Sequence, residues 1–207
     1  NAYEYKKKGI TFRLADLIIT LNKIEELKRI RYTTSHPNDV TKDLIAAHQS
    51  CEKLMPILHL PVQSGSPKIL NAMNRKHNIL EYYKIIKDLK EAKPNIKFSS
   101  DFIIGYPGET ENDFNQTLDL IEKVKFINSY SFVYSSRPGT PASKLGHINL
   151  ETAKKRLTKL QAILERNNSI YKEGFLGKST EVLFENKLDN QNKYFGRDKF
   201  LNSVIVY

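Results

Sequence analysis

Apolar residues recur at helical spacing over residues 12–27, which predicts an amphipathic helix, and a β-branched and aromatic run follows at 30–34. Thr41 precedes a short helical pattern reaching His48, and an extended apolar stretch covers 57–62. Ser66 followed by Pro67 is a helix start, because the serine hydroxyl caps free amides and proline fits the first helical position. Ile79, Tyr83, Ile86 and Leu89 continue at helical spacing. Residues 97–104 read as a strand, and Thr110 with Asp113 three positions on reads as a capping box opening a helix lined by Phe114, Leu118, Ile121 and Val124. A strand at 130–134 and a long helix through Ala153, Leu157, Leu160, Leu164 and Tyr171 complete this rhythm. Strand followed by helix, about four times over, predicts an α/β fold with parallel strands joined by crossover helices.

The pattern changes after Gly174. Residues 181–185, 193–196 and 203–206 read as short strands separated by Asn/Asp-rich turns, with no helix between them. This places a boundary near Gly174 and divides the chain into 1–173 and 174–207. The strand-to-helix junctions of the first part carry the unusual chemistry. They are Thr34-Ser35-His36-Pro37, His59-Leu60-Pro61-Val62-Gln63-Ser64-Gly65-Ser66, Ser100-Asp101-Phe102-Ile103-Ile104-Gly105-Tyr106-Pro107-Gly108-Glu109 and Tyr134-Ser135-Ser136-Arg137-Pro138-Gly139-Thr140-Pro141. All four fall at the carboxyl end of the predicted parallel strands, where such folds place their ligands.

Composition narrows the chemistry. The 207 residues include 33 Lys+Arg against 23 Asp+Glu, a formal charge of +10, which suits a polyanionic partner and equally a solvated basic surface. The longest apolar stretch, 14–21, contains Asp16, so no membrane span is expected, and the polar start argues against a signal peptide and for a cytoplasmic location. One cysteine, Cys51, excludes an internal disulfide and a multi-cysteine metal site built from this chain alone. Asp101 is either a structural partner or a ligand contact, since a buried carboxylate must be paired. Gln63 is a loop amide or a polar contact before a helix N-terminus. Arg75 matters if its guanidinium fork reaches a carboxylate. His36 and His59 lack further ligands at metal spacing, and Cys51 reads as a small semi-buried residue. Lys6-Lys7-Lys8 and Lys154-Lys155-Arg156 are RNA contacts or solvated faces. No Gly-Lys-Ser/Thr phosphate loop is present, so a barrel enzyme acting on a phosphorylated substrate ranks last.

The junctions, together with Phe12-Arg13-Leu14-Ala15-Asp16-Leu17, Asn74-Arg75-Lys76-His77 and Tyr130-Ser131-Phe132-Val133, resemble the radical S-adenosylmethionine methylthiotransferases that modify tRNA. The segment Arg137-Pro138-Gly139-Thr140-Pro141 is most similar to the branch acting on N6-isopentenyladenosine beside the anticodon. Sister branches act on threonylcarbamoyladenosine or a ribosomal protein. The resemblance implies a partial (β/α) radical-SAM-type barrel, followed from Gly174 by an incomplete small β-barrel of the TRAM type that binds RNA. It implies that Gln63, Arg75, Asp101 and Ser35 line an S-adenosylmethionine site, and that Tyr134, Arg137, Lys178 and Arg197 meet substrate or RNA. It further implies two [4Fe–4S] clusters, each held by three cysteines. Cys51 matches none of those positions, so the cluster ligands are expected on a missing N-terminal portion, and the chain alone is expected to be inactive. A non-catalytic RNA-binding piece is the alternative. Residues 174–207 weaken it as the main source of charge, since they hold five Lys/Arg against four Asp/Glu.

Overall fold

A computed structural model describes residues 3–33, 36–188 and 192–207. Its first elements correct the sequence expectation of a helix over 12–27. Strands β1 (Glu4–Lys7) and β2 (Ile10–Arg13) pair antiparallel. Lys8 (φ 49°) and Gly9 (φ 78°) form the turn between them. Two central residues at positive φ give a turn whose twist matches the strands. Helix α1 (Leu14–Asn22) starts only afterwards, where the Arg13 amide donates to Asp16 at 2.8 Å. It ends before Leu27, which instead packs with Ile30, Leu44, Ala47 and Cys51 in a small apolar cluster.

The expected strand at 30–34 is reduced to one parallel bridge, Ile30 to Leu54, closed by Ile30 N–H to the Lys53 carbonyl (2.7 Å) and Met55 N–H to the Ile30 carbonyl (2.9 Å). Helix α2 (Lys42–Ser50) follows. The stretch 57–62 keeps only β3 (Ile57–His59), because Pro61 has no N–H to donate to a ladder. The strand read at 97–104 is two, β4 (Lys97–Ser99) and β5 (Asp101–Ile104), broken at Ser100. There the Ser100 hydroxyl donates to the Leu60 carbonyl and accepts from Val62 N–H, both at 3.0 Å. It stitches the chain together on either side of the proline.

Between the strands, α3 (Pro67–Ala72) is capped by Ser66 as the sequence predicts. The helical run after it is a separate element, α4 (Ile79–Ala92), with its own Asn78/Glu81 capping box. The Thr110/Asp113 box opens α5 (Glu111–Val124). Strand β6 (Tyr130–Val133) and the long α6 (Leu150–Glu173) follow. β3 pairs with β4 and β5 with β6, all parallel, and Gln63 bridges to Phe102. The parallel α/β arrangement expected from the alternation is therefore present.

Alternation along these strands sorts the side chains. Leu58, Leu60, Phe98, Phe102 and Ile104 point to one side and are buried with Tyr82, Ile86, Phe114, Ile121 and Leu160 of the helices. His59, Ser99, Asp101 and Tyr130 occupy the other side. After α6, strands β7 (Leu183–Leu188), β8 (Lys193–Arg197) and β9 (Ser203–Val206) form an antiparallel sheet in the order β7-β8-β9. It joins the rest through an aromatic cluster of Tyr171, Phe175 and Phe200, and through Arg29, which donates to the Arg197 and Glu181 carbonyls at 2.7 and 3.0 Å.

Candidate functional site

Parallel register builds the site. His59 is the direct partner of Ser99, Asp101 lies two residues beyond Ser99 on the same face, and Tyr130 is the partner of Asp101. The His59 Nε2–H donates to Asp101 at 3.4 Å, while its Nδ1 is 2.8 Å from the Ser99 hydroxyl. A carboxylate only accepts, so the network assigns the proton to Nε2 and makes Nδ1 the acceptor of the Ser99 hydroxyl. The Tyr130 ring sits edge-on to His59 at 6.4 Å between centroids.

At the carboxyl end of the same strands stand Gln63 and Arg75. Gln63 has φ 75°, a left-handed backbone unusual for a residue with a β-carbon, although its amide and carbonyl are anchored to Asp101 and Ile103 at 3.0 Å. Backbone strain held by firm anchoring is characteristic of ligand-binding positions. Arg75 follows the last turn of α3 and is half-buried. Burial lowers its pKa, and the Asp101 carboxylate works the other way. No side chain among the described residues hydrogen-bonds or ion-pairs with the Arg75 guanidinium, so its fork is open to a carboxylate.

Two groups beside it were not singled out from sequence. His77 is buried, with both ring nitrogens lacking partners. Its pKa is pushed down to about 4 by burial, then by His36 and Arg75. His36 lies edge-on to it at 5.3 Å, which ties the 36–40 turn to the Arg75 segment. Ser99 had no distinguishing context. The signal that could have found them is positional: Ser99 alternates onto the same strand face as Asp101, and His77 is two residues from Arg75.

The remaining candidates fall elsewhere. Tyr134 directly follows β6, with its ring edge-on to Tyr106 at 5.0 Å and a buried hydroxyl lacking a partner. Arg137 is exposed in the loop after it. Lys178 lines a crevice with Asn95 and Lys97, where β4 begins, and so sits toward the opposite end of the strands. Arg197 is on β8, ion-paired with Glu185. Ser35 lies outside the described residues. Cys51 is buried at the end of α2. A cavity of about 860 Å³ opens between the amino half of the polar strand face (Ile57, His59, Ser99, Tyr130) and Asn202, Ser203 and Val204 before and within β9.

The turn behind the site is clamped separately. Glu109 accepts from Gly105 N–H at 3.0 Å and from Arg156 of α6 at 2.9 Å, and Arg156 also reaches Glu111 at 3.0 Å. Burial raises the Glu109 pKa, against the Gly105 amide and Arg156.

Comparison with known proteins gives the chain's relatives and its family. The chain is 52% identical over 205 residues to the tRNA-2-methylthio-N(6)-dimethylallyladenosine synthase of Pelagibacter ubique, covering 99% of this chain and 46% of that protein. It is 49% identical to the same-named protein of Jannaschia sp., covering 100% of this chain and 45% of that one. The chain thus spans about half the length of these curated relatives. Among solved structures, coproporphyrinogen III oxidase from Escherichia coli, a radical SAM enzyme, matches 65% of this chain and 31% of its own. Its TM-score is 0.54 at 17% identity, a likeness of fold. The model of the Radical SAM superfamily matches residues 7–121, from the end of β1 through the parallel strands β3 to β5 and most of α5, Gln63, Arg75 and Asp101 included, and the chain belongs to that superfamily.

Proposed function

We propose that this chain is the cofactor-holding and RNA-facing part of a tRNA methylthiotransferase that adds a methylthio group to N6-isopentenyladenosine next to the anticodon. The observation that carries the reading is the grouping of three polar residues: the Asp101 carboxylate acts on the Arg75 guanidinium, which is otherwise open, and the Gln63 backbone amide donates to the Asp101 carbonyl at 3.0 Å. S-adenosylmethionine is a zwitterion bearing a ribose, and the donor set suits it. Arg75 would take the carboxylate in a forked contact, and Asp101 the ammonium or the ribose hydroxyls. Gln63 would offer its amide beside them. His59, held by the Ser99 hydroxyl, donates to the Asp101 carboxylate. When bound, the cofactor supplies radical-forming chemistry, and this chain's residues bind and orient it.

The [4Fe–4S] clusters do not fit these residues. Cluster ligation takes several thiolates, the sequence has Cys51 alone, and no His/Cys/Asp/Glu group among the described residues is arranged to hold a metal ion. In this reading the cluster ligands belong to a further N-terminal portion of the same enzyme. We assign 1–173 to the radical-SAM core and 174–207 to the first part of a TRAM-like module. That assignment is supported by three short antiparallel strands with Phe184 and Tyr194 exposed and Lys187 over the Tyr194 ring. In this reading Tyr134, Arg137, Lys178 and Arg197 are RNA contacts. No helix among the described residues is long and apolar enough to cross a membrane.

Titration calorimetry of the chain with S-adenosylhomocysteine, a stable analogue that keeps the carboxylate, ammonium and ribose, tests the reading. Micromolar to millimolar binding is expected, falling about tenfold or more in Arg75→Met and in Asp101→Asn, since each removes a charge-assisted contact. Cys51→Ala should bind as the parent does. Equal affinity in all three variants would overturn the assignment.

A further inference from the structure

The β1–β2 hairpin lies outside the site described above, and its surface is unusual. Register places Tyr5 opposite Phe12 and Lys7 opposite Ile10 on one face, with the two rings 6.3 Å apart. Both rings stand open to solvent, Tyr5 at 52% and Phe12 at 38%, and neither is covered by a helix. Lys6, Lys7 and Lys8 crowd the turn, and no carboxylate among the described residues pairs with them. The local acid, Glu4, is directed to Arg13 instead. Lys8 occupies a left-handed turn position (φ 49°) at which glycine, asparagine or aspartate is the usual occupant, so the tip keeps a cation at a conformational cost.

Location gives the hairpin a role. Its base, at Tyr3, Glu4 and Arg13, lines a crevice with Asn38, Asp39 and Thr41. That turn is tied by His36 to His77, two residues from Arg75. The hairpin base therefore adjoins the turn that reaches the Arg75 segment, on the side of the proposed cofactor site. An aromatic pair with cations along one edge is the surface that unpaired nucleotides use, bases stacking on rings and phosphates meeting ammonium groups.

We propose that the β1–β2 hairpin is a contact element for single-stranded RNA at the mouth of the site, Tyr5 and Phe12 stacking on an exposed base, Lys7 on their face and Lys8 at the tip meeting phosphates, and Lys6 on the reverse face. This rests on the reading of the chain as RNA-facing, and the test separates the two. Fluorescence anisotropy of the 207-residue chain with a short RNA stem-loop is measured across a salt series. Substituting all three lysines by glutamine should flatten the dependence of log K on log salt by about 1.4, at roughly 0.7 for each of the phosphate contacts of Lys7 and Lys8. Tyr5→Ala should weaken binding about tenfold without changing that slope, and should leave binding to inorganic polyphosphate unaltered. Both changes are on an exposed hairpin, and unchanged thermal unfolding confirms that the fold is intact. If the parent chain fails to bind the stem-loop at low salt, the RNA reading itself falls, and the hairpin proposal with it. If the parent binds and the triple variant keeps its slope, the hairpin proposal alone is overturned. A triple variant that keeps RNA binding but loses adhesion to anionic lipid vesicles would overturn it in favour of a membrane contact.

Discussion

Single residues set two tolerances of this protein. His48 and His77 are buried, and burial is the leading reason that each has its pKa moved from 6.5 to about 4. His48 accepts the Tyr32 hydroxyl at 2.7 Å as a neutral ring. A histidine with a depressed folded pKa leaves the unfolded chain binding more protons, so its share of stability is complete above about 6.5 and is lost as pH falls toward 4. The urea midpoint should decline across that window, and His48→Gln, which keeps a neutral acceptor for Tyr32, should decline less. An equally steep decline in the variant would remove His48 from the account. Gly65 sets the second tolerance. A β-carbon there would lie 2.4 Å from the Gln116 carbonyl oxygen and 2.7 Å from the Thr117 α-carbon, both backbone atoms of α5. Gly65→Ala must push the helix away, at a cost of about 2 kcal/mol and roughly 5 °C in Tm. Neither site was legible in the sequence. Glycine after Gln63-Ser64 reads as a loop residue, and the helix it touches is some fifty positions away.

At the level of elements, what the sequence showed best was where helices begin. Ser66-Pro67 and the Thr110/Asp113 box are local chemistry, set within four residues, and both stand as read. Strand limits were less readable, because a neighbouring segment decides them. Pro61 silences one rung, and the Ser100 hydroxyl substitutes for it from forty residues away. Among candidate site residues, Gln63 and Asp101 were read at strand-to-helix junctions and Arg75 past the short helix, their cofactor role being what the family resemblance implies, whereas the burial of His77 became visible only when the 36–40 turn and the segment after α3 met. Asp113 shows how far an element boundary reaches. Burial disfavours its charge, but the Ser66 and Thr110 hydroxyls, the Thr110 amide and Lys68 more than offset this and hold its carboxyl well below the usual range. One side chain thus fixes the starts of both α3 and α5. The Glu109–Arg156 pair binds α6 to the turn after β5 in the same way, with Glu109 fully covered. Replacing Arg156 by leucine leaves a buried carboxylate without its cation and should cost about 3–5 kcal/mol at neutral pH. Glu109 would then have a further raised pKa, so the loss should shrink as the solution is acidified. A double variant with Glu109→Gln should recover part of it, and failure of both acid and the double variant to recover stability would show that Arg156 acts through packing alone.

Across the whole molecule, the parallel α/β part and the β7–β9 sheet are stabilised by different means. The first has a continuous apolar core running from Leu58 through Phe102 to Leu160. The second keeps Leu183, Phe184, Tyr194 and Ile205 open to solvent, and three strands with so little buried face are not expected to hold by themselves. Its order comes from attachment. Phe200 packs at 5.8 Å from Phe175 and 6.2 Å from Tyr171, Asn202 donates to the Tyr171 hydroxyl at 3.0 Å, and Arg29 holds two carbonyls of the sheet segment. The burial that raises the Tyr171 pKa to about 12 arises at this same junction. Removing the ring in Phe200→Ala deletes the centre of the cluster, a loss of about 3 kcal/mol by the usual cost of a buried phenylalanine. Because the sheet has little else, that loss should appear locally: hydrogen exchange in β7, β8 and β9 should accelerate by about a hundredfold, while β3 to β6 exchange at the parent rate. The cavity between the polar strand face and β9 depends on that attachment, since Asn202, Ser203 and Val204 form its far wall. If exchange instead rose equally throughout, the two parts would unfold as one unit, and the sheet would be a contributor to the parallel core rather than a dependant of it.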